Sequence, residues 1–95
     1  MVRVSVLYPA GDDVTFDMDY YKTKHRDLCM KVFGCERFEV DQAISGPYVA
    51  ACHMYFPSME AMQTGMGSPD AGQAMEDVKN YTNATPVVQI AEQIV

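Results

Sequence analysis

Within Phe16 to Gly34, FDMDYYKTKHRDLCMKVFG, a tyrosine and a histidine stand four residues apart, the spacing that brings two side chains together on one face of a helix. Tyr21 and His25 could form an acid–base pair there, a neutral imidazole that titrates near neutrality, oriented by a phenol one turn earlier. The alternative is a buried histidine whose ring is satisfied by a backbone carbonyl. Positions at 100° intervals place Met18, Tyr21, His25, Leu28, Cys29 and Val32 within an arc of about 100°, with His25 near its centre. Asp19, Lys22, Thr23, Lys24, Arg26, Asp27 and Lys31 occupy the other side, so the ring is aimed inward from an amphipathic helix.

The second histidine, His53, lies in YVAACHMYF. Strand parity groups it with Val49, Ala51 and Tyr55, while Ala50, Cys52, Met54 and Phe56 face the other way. If the odd set faces a cleft shared with the helix, His53 and Tyr55 join His25 across a pocket; parity alone does not choose. A bound metal is not expected, because no His-x-His, His-Glu-x-x-His or clustered carboxylate pattern supplies a third ligand. Covalent catalysis is not expected either, with no glycine-rich phosphate loop, serine elbow or cysteine–histidine nucleophile arrangement. Met54, Met59, Met62, Met66 and Met75 suit an ordinary core or an adaptable apolar pocket.

Elements to position these groups follow from periodicity. Val2, Val4, Val6 and Tyr8 alternate with Arg3, Ser5 and Leu7, a first strand that Pro9 closes. Asp17 can cap the helix, and Gly34 supplies its stop. Cys35 to Ser45 carries Phe38, Val40 and Ile44 on one side against Glu39 and Asp41, a second strand exposed on one face. Gly46-Pro47 turns the chain into Tyr48 to Phe56, apolar on both parities and therefore a central strand. Ser58 can cap a short helix that Gly65 and Gly67 interrupt, and Ser68-Pro69 restarts a second one running through Ala71, Ala74, Met75 and Val78 towards Tyr81. Asp77, Asn80 and Tyr81 fix that helix end and the entry to a last strand, Pro86 to Val95.

Ninety-five residues, 48% of them hydrophobic, form one domain, residues 1–95, with enough apolar content for a core without metal or disulfide staples. Thirteen acidic against seven basic residues give a net charge of -6, which repels nucleic acid and anionic lipid. Cys29, Cys35 and Cys52 are odd in number and lack C-x-x-C spacing, as suits reduced thiols. The amino terminus, MVRVSVLY, has no secretory pattern and no stretch reaches a membrane span, so a cytoplasmic protein is expected.

Strand, helix, strand, strand, helix, strand is the order of a ferredoxin-like βαββαβ fold, α+β, in which helices cover one face of a four-stranded antiparallel sheet. The bare face here is expected to be apolar, with Leu7, an apolar set from the third strand, and Val87, Ala91 and Val95. A second sheet should cover it, making a homodimer.

FDMDYYKTKHRDL, PYVAACHMYFPSMEAMQTGMGSP and DVKNYTNATPVVQIAE together resemble the ethyl tert-butyl ether degradation (EthD) family over nearly the whole chain. The resemblance implies a dimeric α/β barrel, two sheets packed face to face, with a cleft between sheet and helices in each subunit. Relatives of that fold include cofactor-free isomerases and monooxygenases, haem proteins and proteins without demonstrated activity, so the fold does not name a reaction. The family is associated with oxidative catabolism. The resemblance supports His25 with Tyr21 as the catalytic pair, and Tyr20, His53, Tyr55 and Tyr81 as substrate-binding residues, His53 in the manner of the paired histidines of muconolactone methylisomerases. Haem is not expected, since the basic residues that would hold propionates are missing. The implied protein takes a small apolar organic molecule without a cofactor, as a catalyst or as an accessory binder beside an oxygenase.

Overall fold

Val2, Val4, Val6 and Tyr8 alternate with Arg3, Ser5 and Leu7 along a strand that is hydrogen-bonded on both edges, and this strand organises the molecule. The computed structural model describes every residue from Met1 to Val95. Its elements are β1 (Val2–Pro9), α1 (18–33), β2 (Arg37–Gln42), β3 (Tyr48–Phe56), α2 (Met59–Met66), α3 (Ala71–Asp77) and β4 (Val87–Glu92). The strands form one antiparallel sheet in the order β2-β3-β1-β4, the ferredoxin-like α+β arrangement, with three helices over one face.

Register decides which side chains meet the helices. Val4 lies opposite Met54 and Ile90, Val6 opposite Cys52 and Val88, and Phe38 opposite Met54, so the even-numbered residues of all four strands share one face. Val4, Tyr8, Phe38, Ala50, Cys52, Met54 and Phe56 are buried there against Tyr21, Cys29, Val32 and Phe33 of α1, Met62 of α2 and Ala74 of α3. His53 and Tyr55 therefore point away from His25. The shared pocket that the odd parity would have made does not form, because β3 turns its even residues to the helices.

The bare face is also less apolar than the sequence pattern suggested. Ser5 meets His53 Nδ1 at 2.7 Å, Asp41 Oδ2 lies 3.0 Å from His53 Nε2, and the Tyr55 hydroxyl donates to Glu39 at 2.8 Å. Arg37 lies over the Tyr55 ring, 4.1 Å from its centroid. Strand β2 ends at Gln42, where its pairing with Ala50 stops, so Ile44 is fully exposed in the following loop rather than on a strand. The last strand ends at Glu92, short of Val95. On its helix side Val88 is 53% exposed and Ile90 52%, since β4 is an edge strand that the helices cover only in part.

Helix α1 has three parts: α-helical Met18–Tyr20, π-helical Tyr21–His25 and α-helical Arg26–Phe33. Asp17 accepts from the Tyr20 amide at 3.1 Å to cap its start, and Gly34 ends it in the left-handed conformation at φ 66°. The wide turn inserts an extra residue where Tyr21 and His25 go inward, a distortion that often marks a working site. Helix α3 begins at Ala71, two residues beyond the expected proline start. Ser68 instead ties the connection to α1, its hydroxyl donating to the Val32 carbonyl at 3.1 Å.

Gly65 sets how closely α2 approaches α1. A Cβ there would collide with the Phe33 carbonyl oxygen and press on the Phe56 ring. In an open helix, glycine to alanine stabilises by about 0.5–1 kcal/mol. Here Gly65→Ala is expected to destabilise by about 1–3 kcal/mol, read as a lower urea midpoint at unchanged slope; an unchanged or raised midpoint would show that the two helices have room to part.

Candidate functional site

His25 sits at the end of the π-helical turn, 4% exposed. Its two nitrogens meet different surroundings. Asp77, the last residue of α3, brings Oδ2 to 2.9 Å from Nδ1. The other carboxylate oxygen accepts from the Tyr20 hydroxyl at 2.7 Å and from the Asn80 amide at 2.9 Å. On the far side of the ring, Nε2 lies 3.2 Å from Cys29 Sγ and 3.3 Å from the Tyr81 hydroxyl, which in turn lies 2.6 Å from the Tyr8 hydroxyl. Four elements converge on one imidazole: α1, α3, β1 and the segment entering β4.

Electrostatics assigns the protons. Burial pushes the His25 imidazole below its ordinary 6.5, and the hydrogen bond and charge of Asp77 recover only part of that. Burial alone would raise the Asp77 carboxyl, but hydrogen bonds from Tyr20, Asn80 and His25 outweigh it and hold the group below its ordinary 3.8. At neutral pH the carboxylate is ionised and the ring neutral, so Nδ1 carries the hydrogen donated to Asp77 and Nε2 keeps its lone pair. Burial lifts the Tyr8 phenol to about 12 and the Tyr81 and Tyr21 phenols further still. It raises the Cys29 thiol as well, and Cys52 to about 11. Of these, Tyr81 and Cys29 face Nε2, protonated and able to donate.

Tyr21 does not play the part its spacing suggested. The π-turn lays its ring flat against His25, with centroids 5.2 Å apart and planes 15° apart, so the phenol stacks on the imidazole instead of bonding to it. Its hydroxyl is buried without a hydrogen-bond partner, and the side chain is 0% exposed. Orientation comes from Asp77, which sequence spacing had marked only as a helix-end residue; the one available signal was its place in a motif shared with Asn80 and Tyr81. Tyr20 reaches the site as a support for Asp77, and Tyr81 as a buried neighbour of Nε2. Cys29 also meets His25, a contact that their four-residue spacing on the dry side of the helix could have signalled. Its raised thiol pKa keeps Cys29 from being a thiolate nucleophile.

A cavity of about 70 Å³ opens between sheet and helices beside this ring. His25, Tyr8, Cys29 and Cys52 form its polar portion, while Val6, Phe33, Met54, Met66, Val78 and Val88 are among its apolar walls; Met75, on the rim, is 66% exposed. No lysine, arginine, aspartate or glutamate lines it. No group of three or more histidine, cysteine, aspartate or glutamate side chains is arranged to hold a metal ion. No helix is long and apolar enough to cross a membrane.

The family model of the EthD domain matches residues 11–85. An EthD-like protein from Ralstonia eutropha JMP134 superposes with a TM-score of 0.90 at 29% identity, covering 99% of this chain and 92% of that one. An ethyl tert-butyl ether degradation family protein from Bacillus halodurans C-125 gives 0.78 at 20% identity, covering 99% of each chain. At the level of fold alone, a dimeric protein of ferredoxin-like fold from Bacteroides fragilis gives 0.58 at 13% identity, covering 97% of this chain and 95% of that one. No curated protein matches the sequence.

Burial of His25 and the hydrogen bonds made to Asp77 make stability pH-dependent. As pH falls below 6.5 the unfolded chain protonates its histidine before the folded chain does, so stability declines from there down to the lowered folded pKa. Asp77 adds stability above 3.8 that is lost as pH falls further, through its own lowered value. Denaturation midpoints between pH 7.5 and 5 should therefore fall towards acid. Asp77→Asn removes the charge that holds the imidazole pKa up, so an NMR titration of His25 in that variant should show it lower still; a rise would mean that Asp77 does not face the ring as described.

Proposed function

The chain belongs to the EthD family, and from that premise we propose that it binds a small, largely apolar organic molecule between sheet and helices, with His25 moving a proton. The observation that carries this reading is the lone pair of His25 Nε2 beside an apolar cavity, on a ring held in one tautomer by the Asp77 carboxylate. A neutral imidazole of lowered pKa is a base ready at neutral pH. Asp77 stabilises the imidazolium that would form and keeps its geometry, the role a carboxylate plays behind a catalytic histidine elsewhere. Isomerisation, or oxygen-linked turnover of an acidic carbon without a bound cofactor, are the reaction types this machinery suits.

The proposed working unit is a homodimer in the cytoplasm, with two sheets face to face. Leu7, Ala51, Val87 and Ala91 lie on the uncovered face, with Arg3 beside them, whose Nε is buried without a partner inside the subunit. Arg37, Glu39 and Asp41 of that face already have partners, so Arg3 is the charge there for which a second copy would have to supply an acceptor. Three free cysteines are in keeping with a reducing compartment.

A second reading, a carrier that binds without turnover, is favoured by one detail: Nε2 already has a thiol and a phenol beside it. Exchange of the α-protons of cyclohexanone into heavy water, followed by NMR, separates the two. Exchange faster than in buffer, falling about 10²–10⁴-fold in His25→Ala while ketone affinity is kept, is the expected outcome. Retained exchange in that variant would remove His25 from the mechanism, and affinity with no exchange in the native protein would favour the carrier. Light scattering on the same sample should give about twice the 10.6 kDa chain mass; a monomer at all concentrations would rule out the paired sheets.

A further inference from the structure

The His25 ring, the Tyr20 hydroxyl and the Asn80 amide all donate to Asp77. With the Nδ1 hydrogen given to Oδ2, Nε2 is an acceptor in either arrangement of its neighbours. If Tyr81 donates to Nε2, then Tyr8 donates to Tyr81; if Tyr81 donates to Tyr8, the Cys29 thiol donates to Nε2. Neither cap is strong, since the Tyr81 contact is long at 3.3 Å and the other partner is a thiol, a weak donor. The best acceptor in the cleft thus lacks a good donor, and when Tyr81 donates to Tyr8 the Tyr8 phenol on the cavity wall keeps a hydrogen to give to an oxygen.

We propose that the ligand class of this cleft is a small neutral molecule carrying a hydroxyl on an unsaturated carbon, a phenol or an enol, whose O–H donates to His25 Nε2 and whose oxygen accepts from Tyr8. The inference rests on the cleft being the ligand site argued above. One atom that both donates and accepts satisfies both sides of the polar end. An ether or ester accepts only and leaves Nε2 no better partnered. A carboxylate finds no cation on the cavity wall. Met54, Met66 and Met75 suit an unsaturated ring, because thioether sulfur packs favourably at ring edges. The cavity of about 70 Å³ is smaller than the ~150 Å³ that admits benzene. A ring therefore enters by displacing the flexible, exposed Met75 at the rim. Enols fit the proton transfer proposed for His25: Nε2 takes a proton from the carbon next to a carbonyl, and giving it back to the oxygen of the resulting enolate makes an enol at the same nitrogen.

Titrating the full-length chain with phenol, anisole and benzoate at pH 7.5, while following the ¹⁵N resonances of the His25 ring, tests this. Phenol should bind at least about tenfold more tightly than anisole, with benzoate weakest, and should shift the Nε2 resonance. Anisole matching phenol, or phenol binding without moving Nε2, would overturn the donor assignment and leave the cleft standing as a ligand site. The Met75→Ala variant, with a wider mouth, guards against simple exclusion by size. If none of the three probes binds that variant or the native chain, the cleft itself fails as a ligand site and the ligand class falls with it.

Discussion

An imidazole taken out of water needs both nitrogens satisfied, and the molecule meets that need by bringing a carboxylate from a helix 52 residues further along the chain to His25 Nδ1. Much of the site depends on this one bond. It fixes the tautomer, leaves Nε2 as an acceptor, and fastens the π-turn in the middle of α1 to the end of α3. Tyr20 and Asn80 hold the carboxylate in place, so the constraint is shared across three side chains rather than resting on one rotamer.

Aromatic packing supplies the rigidity around it. Tyr8, Phe16, Tyr21 and Tyr81 meet edge to face or tilted at centroid distances of 4.8 to 5.8 Å, arrangements worth about 0.5–1.5 kcal/mol each beyond simple burial. Tyr21 belongs to this cluster and not to the proton path: the widened turn gives its ring a stacking position and leaves its hydroxyl unpartnered. The cost of one buried orphan hydroxyl, about 1–3 kcal/mol, is set against four aromatic contacts and a ring held flat for its neighbour.

The sheet divides the chemistry of the chain into two unconnected halves. On the helix side lies the His25 network beside an apolar cavity. On the open side Ser5, His53 and Asp41 form a row across three strands, and Tyr55, Glu39 and Arg37 a second. Both histidines have a carboxylate partner, but only one borders a cavity, and that difference in surroundings separates the candidate base from a satisfied surface group.

Much of the fold was legible in the sequence because it rests on local periodicity. Alternation located β1, a run apolar on both parities located β3, Asp17, Ser58 and Gly34 marked helix ends, and the 3.6-residue period turned His25 inward. The order of those elements in turn implied the antiparallel sheet. Three matters were decided only by tertiary structure. Which parity of β3 meets the helices depends on register with strands distant in sequence. The π-turn depends on the packing of Tyr21 against Tyr8 and Tyr81. The partnership of His25 with Asp77 depends on where α3 ends above α1. Periodicity is a property of neighbours along the chain and reports which side of an element is dry; hydrogen-bond partners and cavities arise between elements, and only the folded molecule brings them together.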